Sequence, residues 1–145
     1  NFRKDEGESL EKEFQLRIGN IRQFMNEALA LDPERVQAIK DRLQTAIAEL
    51  QVNVDENRFE QELIYYLEKL DITEEKVRLT NHLDYFLDTI KGTEANGRKL
   101  GFITQEMGRE INTMGSKSNH AQMQKLVVQM KDELEKIKEQ VLNVL

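Results

Sequence analysis

The stretch from Gly97 to Lys117 combines acidic, basic and amide side chains in a spacing that could serve chemistry. Glu106 and Glu110 are four residues apart, so they share one face of a helix, with Arg109 beside them. Carboxylate oxygens are preferred ligands of a divalent ion such as Mg²⁺ or Mn²⁺, and a metal-activated water can attack a phosphodiester. The simpler interpretation is an ion-pair cluster within one helix.

His82 and Glu75 form a second set of candidates. Histidine titrates near neutral pH, so His82 could act as a general acid or base. Glu75 precedes it by seven residues and would lie on roughly the same side of a helix. Alternatively, His82 is a packed histidine, and Glu74 and Glu75 offset the dipole at a helix start. Three more charged residues would join the site if the third helix lay beside the fifth: Glu62, Asp71 and Arg78.

Basic and amide side chains on the same stretch could bind a phosphate backbone. Arginine binds phosphate through two parallel hydrogen bonds, and lysine binds it as a point charge. Asparagine competes with helical backbone hydrogen bonds, so its presence within a helix indicates a use, either in binding or at a buried contact or helix end. The candidates for phosphate and RNA contact are Arg98, Gln105, Arg109, Asn112 and Lys117.

An apolar stripe predicts the helix that would carry these groups. Apolar side chains recur at spacings of three and four, which places them on one side of a helix. The predicted inward residues are Leu100, Ile103, Met107, Ile111 and Met114.

The same periodicity predicts about six helices, an all-α fold of elongated hairpins packed as an antiparallel bundle. Inward rows include Tyr66 in the third helix and Val77 in the fourth. Gly115 to Lys117 is predicted to interrupt the fifth helix. The predicted helices run from Glu8 to Leu31, Asp32-Pro33 to Val52, around Phe59 to Leu70, from Asp71 or Thr73 to Ile90, across the Gly97–Lys117 stretch, and from Asn119 to Asn143. A boundary near Asp55 would divide an N-terminal helical hairpin, residues 1–55, from a C-terminal helical domain, residues 56–145.

Composition excludes several classes of protein. The 145 residues include no cysteine, so disulfides and thiolate metal sites are absent, which fits a reducing cytoplasm. No apolar run approaches the roughly 20 residues of a membrane span. The net charge of −6 argues against nucleic-acid binding, but four basic and two acidic residues make the Gly97–Lys117 stretch locally positive.

The polar residues of this stretch also match a family pattern, G-R-K-L-D-F-x-x-Q-E-x-x-R-E-x-N-T-x-x-S-K. The pattern resembles the signature of the bacterial YicC/YloC family of stress-induced endoribonucleases. Gly101 departs from it, because the family usually has Asp there. Matching residues are Gly97, Arg98, Lys99, Leu100, Phe102, Gln105, Glu106, Arg109, Glu110, Asn112, Thr113, Ser116 and Lys117, with flanking matches at Asp71, Ile72, Glu74, Glu75, Arg78, Leu79 and His82.

The resemblance implies the helical half of a cytoplasmic, metal-dependent endoribonuclease that cleaves single-stranded or structured small RNA. It implies homo-oligomers and a β-rich N-terminal half that this chain lacks. Under this hypothesis Glu106 and Glu110 bind Mg or Mn, and His82 or Glu75 moves protons. Arg98, Gln105, Arg109, Asn112 and Lys117 would contact RNA. The alternative is a non-catalytic helical oligomerisation and scaffold domain.

Overall fold

The computed structural model describes residues 4–50, 55–92 and 97–144, and the all-α prediction is confirmed for them. No strand occurs within these ranges. None of their helices is both long and apolar enough to cross a membrane. The helices are α1 (Lys4–Ala30), α2 (Asp32–Leu50), α3 (Glu56–Lys69), α4 (Thr73–Lys91), α5 (Gly97–Lys117) and α6 (Ala121–Val141).

Four helices, α1, α4, α5 and α6, enclose the core. Their buried residues recur at spacings of three and four, so each helix turns one apolar stripe inward. Phe14 of α1 meets Phe86 of α4 edge to face, with ring centroids 5.1 Å apart. Arg17 of α1 donates a hydrogen bond to the buried Glu133 of α6 at 3.1 Å. The first and last helices of the chain therefore close the bundle.

Helices α5 and α6 run antiparallel, as their stripes predict. A Cβ on Gly115 would lie 3.0 Å from Val127 Cγ1, and one on Gly108 would lie 3.3 Å from Leu134 Cδ2. The two glycines therefore allow close approach of the helices. The predicted interruption at Gly115 to Lys117 is wrong, because α5 continues through Lys117.

The next helix begins with a histidine cap. His120 Nδ1 accepts a hydrogen bond from the Met123 backbone N–H at 3.3 Å, which satisfies one of the free donors at the start of α6. No role was predicted for His120 from the sequence.

Helices α2 and α3 contribute nothing to the central apolar cluster of the described residues. Outside that cluster, the described part of α2 has the buried apolar residue Ile39, and α3 has Leu63. The predicted inward positions of Tyr66 in α3 and Val77 in α4 are wrong, because both side chains are exposed. A stripe identifies the more apolar side of a helix, but burial needs a neighbouring helix to cover that side.

The predicted division at Asp55 separates helices that touch in space. Helix α1 belongs to the predicted N-terminal segment, yet it packs against α4 and α6 of the C-terminal segment. These contacts cross the predicted boundary, and the division into two domains stays a prediction. Residues 51–54, around the predicted end of the second helix, and residues 93–96, between the fourth and fifth predicted helices, lie outside the described residues.

Candidate active site between α4 and α5

Three side-chain contacts cross from α4 to α5 and set their register. From one contact to the next, the residue number in α4 rises while the residue number in α5 falls, so the two helices are antiparallel. We call the line that these contacts follow the α4–α5 seam. The contacts join Lys117 Nζ to Glu75 Oε1 at 2.7 Å, Arg78 Nε to Glu110 Oε1 at 3.0 Å, and Lys99 Nζ to the Tyr85 ring centroid at 4.9 Å.

The register brings His82 and Glu106 to the same part of the seam. His82 lies four residues after Arg78 and three before Tyr85, so it occupies the same side of α4 as both. Glu106 lies four residues before Glu110, on the side of α5 that faces α4. Both side chains are half-buried. Neither makes a hydrogen bond or ion pair with another residue of the described ranges.

Glu75 is held much more tightly. Its side chain is 2% exposed, and Oε1 accepts the hydrogen bond from Lys117. Oε2 has no hydrogen-bond partner among the described residues. Lys117 Nζ also donates to the Asp71 backbone carbonyl at 3.0 Å. Because a buried charge is costly unless it is paired, Glu75 and Lys117 primarily anchor α4 to α5.

Glu110 is also buried, and its partner comes from α4. Arg78 donates to Glu110 and reaches two further carboxylates, Glu74 at 3.3 Å and Glu75 at 3.6 Å. The hydrogen bond to Glu110 raises the pKa of Arg78, so its guanidinium stays charged. Within the described residues Arg109 makes no ion pair with either glutamate of α5, so the predicted intrahelical ion-pair cluster is not what forms.

The remaining RNA-binding candidates lie on the outer face of α5. They are exposed, and their spacings of three, four and seven place them on the side away from the core. These residues are Arg98, Gln105, Arg109 and Asn112. Two nearby hydroxyls are used within the helix: Thr113 donates to the Arg109 carbonyl, and Ser116 to the Thr113 carbonyl. Lys117 stands apart from this face, because it is occupied in the seam.

The described residues contain no cluster of acidic and histidine side chains that would by itself indicate a metal centre. No three His, Asp or Glu side chains among them gather closely enough to hold an ion. Glu110 already neutralises Arg78, which leaves Glu106 as the available carboxylate of the predicted pair. The assignment of Mg or Mn to Glu106 and Glu110 therefore stays a prediction.

Arg35 is a buried residue that the sequence reasoning missed. Its guanidinium donates to the backbone carbonyls of Leu70 at 2.8 Å and Lys117 at 3.0 Å, and to Asp32 at 2.7 Å. It thereby joins the start of α2 to the end of α5. Its position four residues before the inward Ile39 was a signal in the sequence.

Of the conditional candidates, Arg78 reaches α5 with its side chain and Asp71 only with its backbone carbonyl, because the Asp71 carboxylate binds Thr73. Arg78 lies in the second turn of α4, and Asp71 lies just before α4, so neither residue approaches α5 from α3. Glu62, the third conditional candidate, lines a groove between α2 and α3 instead. The structure therefore brings together His82, Glu75, Glu106, Glu110 and Lys117 along one seam.

Comparison with known proteins agrees with the sequence motif. The family described as "Endoribonuclease YicC-like, C-terminal" matches residues 28–145. The chain is 38% identical over 146 residues to a protein of Clostridioides difficile (strain 630) named "Probable endoribonuclease YicC", covering 99% of this chain and 50% of that protein.

A protein of the same name from Haemophilus influenzae (strain ATCC 51907 / DSM 11121 / KW20 / Rd) is 34% identical over 143 residues, again covering 99% of this chain and 50% of that protein. The chain thus spans about half the length of the curated relatives it matches. The seam residues Glu75, Arg78, Glu110 and Lys117 all lie within the matched region. The chain therefore belongs to the YicC-like endoribonuclease family and contains its C-terminal helical region.

Proposed function

We propose that the α4–α5 seam is part of the active site of an endoribonuclease that cleaves single-stranded or structured small RNA. The observation that carries this proposal is the register of α4 against α5, which places His82 and Glu106 at the same level of the seam, with no hydrogen-bond or ion-pair partner among the described residues for either side chain. The ion pairs before His82 along α4 and the Lys99–Tyr85 contact after it hold the two helices in register. The names of the relatives support the same activity.

Cleavage of a phosphodiester needs two proton transfers. The attacking oxygen forms the new P–O bond and gives its proton to one group, while the P–O bond to the leaving oxygen breaks and that oxygen takes a proton from another group. Histidine and glutamate suit these roles. His82 and Glu106 therefore act as the proton-transfer pair, and Glu75 and Glu110 position the helices that carry them.

The outer face of α5 supplies contacts to the RNA backbone. Arg109 lies about one turn after Glu106 along α5 and is exposed, so its guanidinium can bind a phosphate through two hydrogen bonds. Arg98 extends the positive charge towards the start of α5, and the amides of Gln105 and Asn112 offer further hydrogen bonds on the same face.

A required metal ion would bind Glu106 together with ligands from outside the described residues. Cleavage is measured with Mg²⁺, with Mn²⁺ and with a chelator. Loss of cleavage in the chelator, restored by Mn²⁺, would support the metal assignment. Unchanged cleavage in the chelator would contradict the metal assignment, and His82 and Glu106 would then transfer protons without a metal ion.

Substitution of the pair tests the proposed active site. Glu106→Gln and His82→Gln keep the approximate side-chain volume and remove the proton-transfer group, so cleavage of a labelled RNA should fall by about 10²- to 10⁴-fold. Glu135→Gln, on the exposed surface of α6, is the matched control and should cleave normally. Undiminished cleavage by Glu106→Gln would remove the assignment.

A non-catalytic scaffold is the second candidate, and the outward side of α3 favours it. Ile64, Tyr65 and Tyr66 are all exposed there, and a groove of about 300 Å³ separates α2 from α3. Light scattering is the discriminating measurement. A stable oligomer that neither binds nor cleaves RNA would support the scaffold. The homo-oligomer and the cytoplasmic location both stay predictions.

A further inference from the structure

Phe102 is a large aromatic residue that the packing of α5 does not use. It is 64% exposed, although the apolar stripe on the other side of the helix is completely buried. A single exposed apolar side chain is ordinary on a protein surface. The surroundings of Phe102 therefore decide whether it has a use.

A second exposed aromatic ring lies near the same end of the seam. Tyr85 of α4 is 46% exposed, and Lys99 Nζ of α5 stands 4.9 Å from the centroid of its ring. Phe102 follows Lys99 by three residues, which places it on the next turn and about 60° round α5 towards solvent. One lysine at the rim of the seam thus contacts the Tyr85 ring and lies about one helical turn from Phe102.

This combination matches the way proteins bind single-stranded nucleic acid. Unpaired bases stack on exposed aromatic rings, while neighbouring cations offset the charge of the phosphates. Arg98 precedes Phe102 by four residues and Arg109 follows it by seven, so both lie on the same side of α5. The charge beside the two rings therefore complements an RNA backbone.

We propose that Tyr85 and Phe102 form a stacking platform for an unpaired RNA base. The inference rests on the proposed function and specifies its substrate: RNA that is single-stranded beside the cleaved bond. Phe102 precedes Glu106 by four residues, and Tyr85 follows His82 by three, which are shifts of about 6 Å and about 4.5 Å along the two helices. Those shifts are on the scale of one extended nucleotide, so the stacked base belongs to a nucleotide next to the cleaved bond.

Leucine substitutions isolate the contribution of the rings. Phe102→Leu and Tyr85→Leu keep an apolar side chain but remove the flat face, and both sites are exposed enough for the fold to tolerate them. Tyr85→Phe keeps the ring and should bind normally. Tyr65→Leu is the matched control, because Tyr65 on α3 is 57% exposed and carries Lys69 Nζ at 4.8 Å over its ring, outside the seam.

Binding is measured with a fluorescent single-stranded RNA and with the same RNA annealed to its complement, all in a Glu106→Gln background that suppresses cleavage. Thermal melting of each variant confirms that it is folded. We expect Phe102→Leu and Tyr85→Leu to weaken single-strand binding by about 5- to 150-fold, which corresponds to 1–3 kcal/mol of base stacking. Duplex binding should not change, because paired bases hide their faces.

Three results would overturn the stacking platform. In the first, folded Phe102→Leu binds single-stranded RNA as tightly as the Glu106→Gln background protein does. In the second, the substitutions weaken the binding of single-stranded and duplex RNA equally. In the third, the background protein itself binds no single-stranded RNA. Cleavage by the protein with Glu106 intact is measured separately. If cleavage persists in any of these cases, the proposed function stands and only the stacking platform fails.

Discussion

Replacing Lys117 by methionine tests whether the ion pairs of the seam hold the two helices together. Methionine keeps most of the apolar stem of lysine and removes its charge. Glu75, which is 2% exposed, would then lose its 2.7 Å hydrogen bond, and Arg78 at 3.6 Å would be its remaining cation. Because Oε2 already has no partner among the described residues, the carboxylate has little means of compensation.

The expected cost follows from the burial of the pair. Removing one partner of a buried ion pair typically costs about 3–5 kcal/mol, because it leaves an uncompensated charge. Lys117 is 26% exposed, so water can partly reach the gap. We therefore expect Lys117→Met to lower the free energy of unfolding by about 2–4 kcal/mol. Adding Glu75→Met should recover most of that loss, because an apolar pair of similar volume replaces the buried charges.

The assay is urea unfolding followed by helical circular dichroism. Arg22→Met is the matched control, because Arg22 forms a 2.7 Å ion pair with Asp84 between α1 and α4 on the exposed surface. Exposed pairs contribute about 0–1 kcal/mol. The reasoning is refuted if Lys117→Met is no more destabilising than Arg22→Met, or if Glu75→Met makes the Lys117→Met protein less stable.

Two further predictions concern acid stability and the glycines. The hydrogen bond from the Thr73 hydroxyl lowers the pKa of Asp71, so its charged form stabilises the fold above the ordinary value of 3.8, and this contribution disappears as the pH falls through the lowered pKa. In urea titrations at several pH values, Asp71→Asn should be less stable than the unmodified protein at neutral pH, and the difference should vanish in acid; a difference independent of pH would contradict this. Gly19→Ala should stabilise by about 0.5–1 kcal/mol, because a Cβ there meets nothing within 4 Å and alanine is the better helix former. Gly115→Ala should gain less or lose stability, because its Cβ would lie 3.0 Å from the stiff, buried Val127, and equal melting temperatures for the two variants would disprove the steric argument.

Local sequence patterns predicted most of the helices, because helical periodicity is a property of neighbouring residues. All five apolar positions proposed for α5 are buried. The pattern failed where burial depends on a distant neighbour. Val77 and Tyr66 lie in rows that the pattern predicts to face inward, yet both are exposed in the part of the chain that the structure describes.

The candidate site shows the same limit. Glu106 and Glu110 are four residues apart on one helix, and that spacing alone allowed both a metal pair and the simpler ion-pair cluster. Packing separates them: Glu110 is buried against Arg78, whereas Glu106 is half-buried with no partner among the described residues. A carboxylate's availability depends on the cations that surround it.

The sequence alone determined the helical class, the apolar side of α5, the polar groups on its remaining surface and the family motif, because each is written in residues a few positions apart. Tertiary structure decided which of those polar groups support the fold and which remain for a substrate. The partners of Glu75 and Glu110 come from 42 and 32 positions away along the chain. Helical periodicity shows which side of a helix faces inward, but only packing shows which residues meet across it.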